Sequence, residues 1–567
     1  MVRVLGLSAG HDAAAALVVD GKIVAAAEEE RFVGVKHSVG HPLPANAAAY
    51  CLSWAGLAPE DIDYVAMYKP IHMSWWRALL RPLLTSGVPF LKPRLGKSLV
   101  VDAVRFFSES QIRRNPYGTR ALGFRPDQVR GVPHHVAHAA SAYYCSGLKH
   151  ADVLVADAAG SHEATSLYEG NGGELVLTRQ TDWPDSLGYF YSAVTEYLGY
   201  ETREGEGRVM GLAPYGFPDP KADAVMRRAC RETRDGYSVD SNLIGYAPPY
   251  AIDALERALG PRARNLQDLD RSRFRNIAHA LQTRLEEVVV HLIERWGVGS
   301  NLCLAGGVAL NCKMNGVILE TGRFDEVFIQ PAANDPGSAL GAALALARAE
   351  GDPVAMRMRD AYLGPSYTDD EVAKLLDARK VPYEEVHDIE DAVAELLARD
   401  KIVGWFQGRM EFGPRALGAR SILMSPTKPE NKDIINAQVK FREAYRPFCP
   451  SLLAEAMDEY LVNARPSPFM ILSFKVRPDK RKEIPAVTHV DDTCRPQTVE
   501  RDVNSKFWAM IRHFEDRTSV PVVLNTSLNV RGKPIACSPT DALAAFYSGG
   551  LDYMAFGHLL LAKRPGS

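Results

Sequence analysis

The sequence predicts an α/β protein that consists of a duplicated unit of strands and helices, followed by a second α/β domain. A pattern of three short apolar strands joined by small polar turns opens the chain and returns near residue 150. A polar stretch punctuated by glycine and proline, between residues 350 and 365, separates this part from the rest. At 567 residues the chain is also too long for one core.

The two copies share one order of elements. The first reads as the strands VRVLGLS, AAAALVV and KIVAAAEE, and the second, DVLVADAAGSHEATSLYEGNGGELVLT, repeats strand, small polar turn, strand, glycine-rich turn and strand. The helical spacing of apolar residues predicts helices after each copy, at AAAYCLSWAGL and at FRNIAHALQTRLEEVVVHLIERWG. We therefore expect two facing lobes.

Two further segments complete the first domain. NLCLAGGVALNCKMNG predicts a strand, a Gly-Gly turn and a helix, and PGSALGAALALARAEG predicts a tightly packed helix of small residues. The glycines would let the backbone approach a ligand closely, although tight packing of the turn explains them equally well. We place the two domains at residues 1–355 and 356–567, the second also being α/β from KIVGWFQ, SLLAEAM and VPVVLNTSLN.

Composition argues against several classes of protein. The 66 Lys and Arg residues against 69 Asp and Glu give a formal net charge of -3, so general nucleic-acid binding is not expected. The eight cysteines form no CxxC pair, which argues against a disulfide framework and a thiolate zinc site. The sequence has no run of about eighteen apolar residues. We expect a cytoplasmic protein without a membrane span.

The segment from Tyr68 to Val101 is rich in basic and aromatic residues and has no acid before Asp102. It is either an amphipathic insertion that packs on the first lobe, or a lid over an acceptor pocket or a docking surface for a membrane or carrier. The sequence does not separate these interpretations.

Three histidines lie within five residues at the start of a small-residue helix, in VPHHVAHAASAYYCSG. His134 and His138 fall one turn apart on one face, a spacing that allows shared metal coordination, whereas His135 points elsewhere. A metal would also need carboxylates, and Asp157 and Asp335 are the candidates. The alternative is that the histidines are solvated or bonded to the backbone and that the aspartates cap helices and turns.

Basic residues are concentrated in the second domain. Such a set suits a small polyanion because guanidinium groups bind phosphate oxygens in pairs, although several members could be solvent-facing or in structural ion pairs. Between residues 408 and 446 they are Arg409, Arg415, Arg420, Lys428, Lys432, Lys440, Arg442 and Arg446.

The segments AGHDAAAALVVDGKIVAAAEEERF, HHVAHAASAYY, GRVMGLAPYG and AGGVALN together resemble the O-carbamoyltransferase family of nodulation-factor, cephalosporin and tobramycin carbamoyltransferases. The resemblance extends over essentially the whole chain. It implies an N-terminal domain of the actin-like ATPase fold, similar to the tRNA threonylcarbamoyl-transferring enzyme. It also implies a C-terminal domain similar to the threonylcarbamoyl-adenylate-forming enzyme.

The activity implied by the resemblance has two steps. The C-terminal domain would form carbamoyl-adenylate from carbamoyl phosphate and ATP with Mg²⁺, and the metal-containing N-terminal domain would transfer the carbamoyl group to a hydroxyl. The expected partner is a small natural-product alcohol, such as a sugar or an aminoglycoside. The sequence is also compatible with a homodimer.

The resemblance also assigns residues in the N-terminal domain. His11 would be the general base, the alternative being that it only orients the acceptor. Lys36 would stabilise the oxyanion on the carbamoyl carbon, the alternative being an ordinary solvated lysine. The metal is usually iron(II), and a mixed His/carboxylate set would also accept zinc or manganese. The expected metal ligands are His134, His138, Asp157 and Asp335, and the expected nucleotide-binding residues are Gly160, Gly306, Gly307 and Asn311.

In the C-terminal domain, Lys440-x-Arg442 and Ser527-x-Asn529 reproduce the KxR and SxN pairs by which the adenylate-forming relatives hold a nucleoside triphosphate. Gln497 is a further candidate from the segment THVDDTCRPQTV. The residues that the resemblance assigns to carbamoyl phosphate and ATP are Arg415, Arg420, Lys440, Arg442, Arg446, Arg495, Ser527, Asn529 and Arg531.

Two other functions are compatible with these observations. Transfer to an amine or to tRNA-linked threonine would use the same domains, although the overall charge disfavours tRNA. A non-catalytic, nucleotide-dependent regulator of the actin-like ATPase fold would keep the duplicated lobes. Such a regulator would have no use for the arginine-rich second site, which therefore favours an enzyme.

Overall fold

The computed structural model of the chain describes residues 2–68, 117–160, 162–246 and 248–563. It contains two compact units, Met1–Ala25 with Pro42–Arg357, and Ala26–His41 with Met358–Ser567. The predicted α/β class is confirmed, because helices and several sheets occur throughout both units. Apart from Tyr68, the predicted insertion from Tyr68 to Val101 lies outside the described residues.

The first unit contains two five-stranded sheets with the same topology. In each sheet the first strand pairs antiparallel with the second and parallel with the fourth, which confirms the predicted duplication. The first sheet has the order β3-β2-β1-β4-β5, with β1 (Arg3–Ser8), β2 (Ala14–Val19), β3 (Lys22–Glu28), β4 (Tyr64–Met67) and β5 (Val129–Gly131). The second has the order β12-β11-β6-β7-β8, with β6 (His150–Ala156), β7 (Glu163–Asn171), β8 (Glu174–Asp182), β11 (Asn301–Ala305) and β12 (Glu326–Ile329), the hairpin β9 (Cys230–Thr233) and β10 (Gly236–Val239) lying apart.

The helices up to residue 349 cover the segments predicted to be helical. The first of them belongs to the second unit and the others to the first. In chain order they are α1 (Glu29–Val33), α2 (Ala45–Ala55), α3 (Tyr117–Ala121), α4 (His134–Ser146), α5 (Leu187–Tyr197), α6 (Glu206–Leu212), α7 (Pro220–Ala229), α8 (Ser241–Ile244), α9 (Ile252–Leu259), α10 (Ser272–Arg295), α11 (Cys312–Glu320) and α12 (Asp335–Ala349).

Small residues let α12 pack closely on α4 and on β1. A Cβ at Gly341 would collide with the carbonyl oxygen of Ala137 in α4, and a Cβ at Gly6 in β1 would collide with that of Ala339. Only glycine permits backbones to approach this closely. The contact places the first residue of α12, Asp335, near the first turn of α4.

The second unit is built on an eight-stranded sheet of order β13-β22-β21-β14-β15-β20-β16-β19, with a two-stranded ribbon of β17 and β18. Its strands are β13 (Glu384–Glu385), β14 (Val403–Phe406), β15 (Arg420–Met424), β16 (Cys449–Leu453), β17 (Phe474–Lys475), β18 (Thr493–Cys494), β19 (Gln497–Val499), β20 (Val522–Ser527), β21 (Tyr553–Phe556) and β22 (Leu559–Ala562). Its remaining helices are α13 (Asp369–Ala378), α14 (Ile389–Ala398), α15 (Glu430–Ile435), α16 (Met457–Tyr460), α17 (Ser505–Thr518) and α18 (Pro539–Ser548).

The structure bears on two expectations from the composition, the lack of a disulfide framework and the lack of a membrane span. All eight cysteines are buried and free, so no disulfide framework is present. Within the described ranges, none of the helices combines the length and apolar character needed to cross a membrane.

Candidate metal and anion sites

The four predicted metal ligands converge in the first unit. Nε2 of His134 lies 3.1 Å from Nε2 of His138 and 3.0 Å from Oδ2 of Asp157. Oδ1 of Asp335 lies 3.8 Å from Nε2 of His134 and 3.7 Å from Nε2 of His138. One donor atom from each side chain can be chosen so that all four lie within 4.8 Å of one another. The cluster is therefore small enough to surround one cation.

Helix α4 explains the arrangement of the histidines. Pro133 caps the helix with extended backbone, and His134 and His138, one turn apart, face the cluster. The ring of His135 points away from the cluster on another side of the helix, where its Nδ1 lies 2.7 Å from Oγ of Ser166. The expected separation of His135 from the other two histidines is thus observed.

Both carboxylate oxygens of Asp157 make polar contacts. Oδ2 faces His134, and Oδ1 accepts a hydrogen bond of 3.2 Å from the backbone N–H of Gly307. Burial alone would raise the pKa of Asp157, but the hydrogen bond to His134 and the charge of His138 lower it below its ordinary value. The carboxylate therefore stays ionised in a buried position and can serve as a ligand.

The donor set fits a divalent cation. Two imidazole nitrogens and two carboxylates form a mixed set that iron(II), zinc and manganese accept, and it does not select among them. The two Nε2 atoms can share at most one hydrogen bond, whereas a cation would accept a lone pair from each. Nδ1 of His138 is buried and has no hydrogen-bond partner within the described part of the chain, so the interactions of this ring are concentrated at Nε2.

The residues predicted to hold a nucleotide lie beside Asp157 but also have structural contacts. Gly306 has φ of 88°, and a Cβ there would collide with the carbonyl oxygen of Ala156, so the parallel strands β6 and β11 end in close contact. The side chain of Asn311 caps α11 and lies 3.0 Å from the amide of Gln282. Gly160 packs against the ring of His135. Nucleotide binding by these residues stays a prediction.

His11 is linked to the metal cluster through side chains. Its Nδ1 lies 3.1 Å from Oδ2 of Asp12, and the amide of Asn334, which precedes Asp335 in sequence, donates to the same oxygen at 3.3 Å. The side chain of His11 is 24% exposed, so an acceptor arriving from solvent can reach it. The role of general base is compatible with this position.

Two residues at this site were missed by the sequence analysis. The ring of Tyr68 packs edge-on against that of His134, with 4.9 Å between their centroids, and its hydroxyl donates to the carbonyl of Ala9. The other is Asn334, which could have been predicted to lie at the site because it precedes the candidate ligand Asp335 in the sequence. For Tyr68 the sequence held no comparable signal, because the contact joins distant parts of the chain.

In the second unit, the KxR and SxN pairs meet. Nζ of Lys440 donates to Oδ1 of Asn529 at 2.7 Å and to Oγ of Ser527 at 3.3 Å, and it also donates to the carbonyl oxygens of both residues. Lys440 lies in a five-residue π-helical turn, Asn436–Lys440, and Ser527 ends β20. The structure therefore brings Lys440 of the KxR pair into contact with Ser527 of the SxN pair, although the two residues are 87 positions apart in the sequence.

Lys440 is surrounded by other cations. Burial lowers the pKa of Lys440 well below its ordinary value, and the charges of Arg442, Arg446 and Lys36 lower it further. Burial and the charge of Arg446 also lower the pKa of Arg442 to about 9. Glu443, whose carboxylate lies 3.9 Å from the guanidinium of Arg446, supplies one negative charge to this group. Such a group is expected to bind an anion.

The other predicted basic residues have specific partners. Nε of Arg442 donates to Oδ1 of Asn436 at 2.7 Å, and the guanidinium lies 4.4 Å from the centroid of the Phe448 ring. The guanidinium of Arg495, which adds to the positive charge at Arg442, donates to Sγ of Cys449 at 3.0 and 3.2 Å. A sulfur atom is a weak acceptor that a phosphate oxygen could replace.

Two further predicted arginines, Arg415 and Arg531, lie on loops. Arg531 lies two residues after Asn529 and donates to the carbonyl of Phe441 at 3.1 Å. Phe441 is the residue that follows Lys440 in the sequence. Arg415 lies in the loop that ends at Arg420, the first residue of β15. Their binding of phosphate stays a prediction.

Arg420 differs from the other arginines because it is fully buried and bonded to the backbone. Its guanidinium donates to the carbonyl oxygens of Gln407, Gly408 and Pro365 at 2.9, 3.1 and 2.9 Å. It also lies 3.6 Å from the centroid of the Phe406 ring. These contacts show that Arg420 stabilises the fold. None of them bears on its predicted binding of phosphate, which stays a prediction.

We expect Arg420→Ala to lower the free energy of unfolding by about 3 kcal/mol or more, because buried carbonyls lose their donors and a cavity is left. Urea unfolding followed by the fluorescence of buried Trp405 would measure the change. The matched control is Arg399→Ala, whose exposed ion pair with Glu395 should contribute less than about 1 kcal/mol. Unchanged stability with loss of ATP binding would instead make Arg420 a ligand-binding residue.

Comparison with known proteins agrees with the resemblance. The family model described as "Carbamoyltransferase N-terminus" matches residues 3–344, and "Carbamoyltransferase C-terminus" matches residues 394–563. The nodulation protein NolNO of Sinorhizobium fredii is 38% identical, covering 98% of this chain and 80% of its own length. The nodulation protein NolO of Bradyrhizobium diazoefficiens is 40% identical, covering 76% of this chain and 79% of its own length.

Among solved structures, component A of the (R)-2-hydroxyglutaryl-CoA dehydratase of Acidaminococcus fermentans aligns with a TM-score of 0.34 at 14% identity, over 62% of this chain and 99% of that one. The family models together cover most of the sequence, and NolNO matches it over nearly its whole length. The chain belongs to the carbamoyltransferase family.

Proposed function

We propose that this carbamoyltransferase is an ATP-dependent O-carbamoyltransferase, with a transfer domain at 1–355 and a carbamoyl-adenylate-forming domain at 356–567. The observation that carries the proposal is the group of cations around buried Lys440, which contacts Ser527 and Asn529. A regulator of the actin-like ATPase fold would have no use for it, whereas an enzyme that binds carbamoyl phosphate and the triphosphate of ATP needs such a group.

The second unit would form the activated donor. Hydrolysis of carbamoyl phosphate gives carbamate and phosphate, and an oxygen of carbamate then attacks the α-phosphorus of ATP. Pyrophosphate leaves and carbamoyl-adenylate remains. Charged donors that are held in place before the reaction stabilise the negative charge that develops on the phosphate oxygens. The residues proposed to do so, with Mg²⁺ bound to ATP, are Arg415, Lys440, Arg442, Arg446, Arg495, Ser527, Asn529 and Arg531.

The first unit would transfer the carbamoyl group to an alcohol. The acceptor hydroxyl attacks the carbamoyl carbon, His11 takes its proton, and AMP leaves with the electron pair of the broken bond. Asp12 orients the His11 ring through its contact with Nδ1. A divalent metal, held by the four ligands, would supply Lewis-acid stabilisation of the phosphate group. The N–H of Gly307, which bonds to Asp157, orients one of those ligands.

Incubation of the full chain with ATP, ¹⁴C-labelled carbamoyl phosphate and iron(II) tests this proposal. We expect labelled carbamoyl-adenylate without an acceptor, and a labelled carbamate ester when the correct alcohol is present. Label that accumulates only on an amine or on tRNA would favour the related transfer reactions. Absence of label in any adenylate would contradict the two-step route.

Nucleotide binding should weaken at high pH. The pKa of Arg442 is about 9 in the free protein, and a bound polyanion would raise it by supplying opposite charge. Between the free and bound pKa values binding takes up a proton, so affinity falls as pH rises above about 9, by up to about tenfold per unit for each proton. Lys440, whose pKa is also lowered by burial, would add to this trend.

Isothermal titration of ATP in two buffers of different ionisation enthalpy would measure the proton uptake directly. Uptake that grows with pH is the expected result. Affinity that rises with pH, or proton release on binding, would show that the cations around Lys440 do not hold the nucleotide.

A further inference from the structure

A buried asparagine closes the turn that leads from Lys440 to Arg442. Asn436 begins the five-residue π-helical turn Asn436–Lys440 and is only 2% exposed. Its backbone carbonyl accepts the N–H groups of both Phe441 and Arg442, the second at 3.1 Å. One carbonyl therefore sets the path of the chain between the two cations of the KxR pair.

The same turn holds Phe441 in a strained conformation. Phe441 has φ of 46° and ψ of 52°, in the left-handed region that a bulky side chain rarely adopts. Its N–H is bonded to the carbonyl of Asn436, and its own carbonyl accepts from NH1 of Arg531 at 3.1 Å. Backbone strain of this kind persists only where surrounding contacts fix it, and it is concentrated at binding sites. The shape of the turn is therefore imposed by its contacts.

The side chain of Asn436 joins two of the arginines that follow it. Its Oδ1 accepts a hydrogen bond of 2.7 Å from Nε of Arg442, and its Nδ2 donates to the backbone carbonyl of Arg446 at 3.3 Å. The ring of Phe448 supports the guanidinium of Arg442, with 4.4 Å between the guanidinium carbon and the ring centroid. NH1 of Arg442 makes no hydrogen bond to any residue that the structure describes. The guanidinium is thus held in place with one nitrogen left for a ligand.

A buried arginine elsewhere in the chain is held differently. NH1 of Arg284, in α10, lies 2.8 Å from a carboxylate oxygen of Glu232 and 2.7 Å from one of Glu287. Two acidic side chains thus offset the charge of Arg284, as expected for an arginine that stabilises the fold. Within the described ranges no carboxylate forms an ion pair with Arg442, and its shortest hydrogen bond goes to the neutral amide of Asn436. The amide orients Arg442 without offsetting its charge.

Direct contacts place this turn in the candidate anion site. Nζ of Lys440, the last residue of the turn, donates to Oδ1 of Asn529 at 2.7 Å. Arg531, two residues after Asn529, donates to the carbonyl of Phe441. A change at Asn436 therefore acts on residues that belong to both the KxR and the SxN side of the site.

We propose that Asn436 is a positioning residue of the anion site in the second unit, where its neutral amide fixes the guanidinium of Arg442 and leaves the charge of Arg442 to the phosphate groups of the ligand. The inference rests on the proposed function for the identity of the ligand. A carboxylate at this position would keep the hydrogen bond to Nε of Arg442, but it would compete with phosphate for the same charge.

Two variants of the full chain test this role, with inorganic pyrophosphate as the probe in calorimetric titrations at neutral pH. Asn436→Asp keeps an oxygen beside Nε of Arg442 but adds a negative charge, so we expect the affinity of the folded protein to fall about tenfold or more. Asn436→Ala leaves the guanidinium without this acceptor, and we expect binding about three- to tenfold weaker than in wild type.

Asn431→Ala is the matched control. Asn431 is as buried as Asn436, at 2% exposed, and lies five positions earlier in the chain. Its amide donates to Asp400 at 3.0 Å and to the carbonyl of Ser425 at 2.9 Å, so it holds no arginine. Its replacement should lower the free energy of unfolding and leave the pyrophosphate affinity of the folded protein unchanged.

The pH profile separates positioning from a merely structural role. In wild type, affinity is expected to fall above about pH 9, where Arg442 loses its proton. The added carboxylate of Asn436→Asp would raise the pKa of Arg442, so this fall should begin at higher pH. A structural role alone would leave the profile of the folded protein unchanged. The other charged or titratable groups that act on Arg442 are the same in both proteins, namely Arg446, Cys449, Glu443 and Arg495.

Pyrophosphate affinities of Asn436→Asp and Asn436→Ala equal to that of wild type would overturn the inference, as would an equal loss of affinity in Asn431→Ala. If wild type binds pyrophosphate and Asn436→Asp weakens the binding, but no adenylate forms, the proposed function fails and this inference stands. If wild type binds neither pyrophosphate nor ATP, both fail.

Discussion

Lys440→Ala is expected to reduce carbamoyl-phosphate-dependent release of pyrophosphate from ATP by about 10²- to 10³-fold, the usual effect of removing a charged donor from a reacting centre. Lys440 is buried, contacts Ser527 and Asn529 directly and lies beside other cations. A coupled assay of pyrophosphate, with carbamoyl phosphate present and absent, measures the effect.

Lys428→Ala is the control for this variant. Lys428 belongs to the same basic stretch, but it is exposed and pairs with Asp400. Its replacement should leave pyrophosphate release within about twofold of the wild type, as expected for a surface ion pair. A Lys440→Ala protein that stays folded and releases pyrophosphate at the rate of the control would remove Lys440 from the adenylation site.

His138→Ala is expected to remove the bound metal and to lower carbamoyl transfer by about 10³-fold or more, while pyrophosphate release stays at the wild-type rate. His138 is fully buried, and its Nε2 faces the other three ligands, so its replacement by alanine removes one of the four donors. Metal content measured by mass spectrometry and transfer measured with preformed carbamoyl-adenylate separate binding from catalysis.

His150→Ala is the matched control, because His150 is exposed at the start of β6, the strand that leads to Asp157. It should keep both metal and transfer. Retention of metal and transfer by His138→Ala would show that the cluster of His134, His138, Asp157 and Asp335 has a structural role only. Loss of pyrophosphate release in His138→Ala would contradict the division of the reaction between two sites.

The cluster of candidate metal ligands could be predicted in part from sequence because the spacing of its two histidines is local. The i, i+4 spacing of His134 and His138 places both rings on one helical face. Asp157 follows the first strand of the second copy, and Asp335 begins the small-residue helix, so the duplicated fold brings them together. The pairs at Lys440 and Ser527 were identified through the resemblance to the adenylate-forming enzymes, whose KxR and SxN spacings they reproduce.

The segment 26–41 could not be placed from sequence. It follows three strands of the first copy without a glycine- or proline-rich boundary, so continuity along the chain assigned it to the first domain. Its membership of the second unit depends on the contacts of Glu28 and Arg31 with Gly413, which lies 382 positions from Arg31. Arg420 was similarly ambiguous, since an arginine that binds backbone carbonyls and one that binds phosphate are identical in the sequence.

Release of pyrophosphate from ATP by the purified full chain, measured with and without carbamoyl phosphate and before any acceptor is added, tests the two-site account most directly. The account predicts that pyrophosphate appears only when carbamoyl phosphate is present, together with inorganic phosphate and carbamoyl-adenylate. Metal-loaded, folded protein that releases no pyrophosphate, or releases it equally without carbamoyl phosphate, would contradict the account.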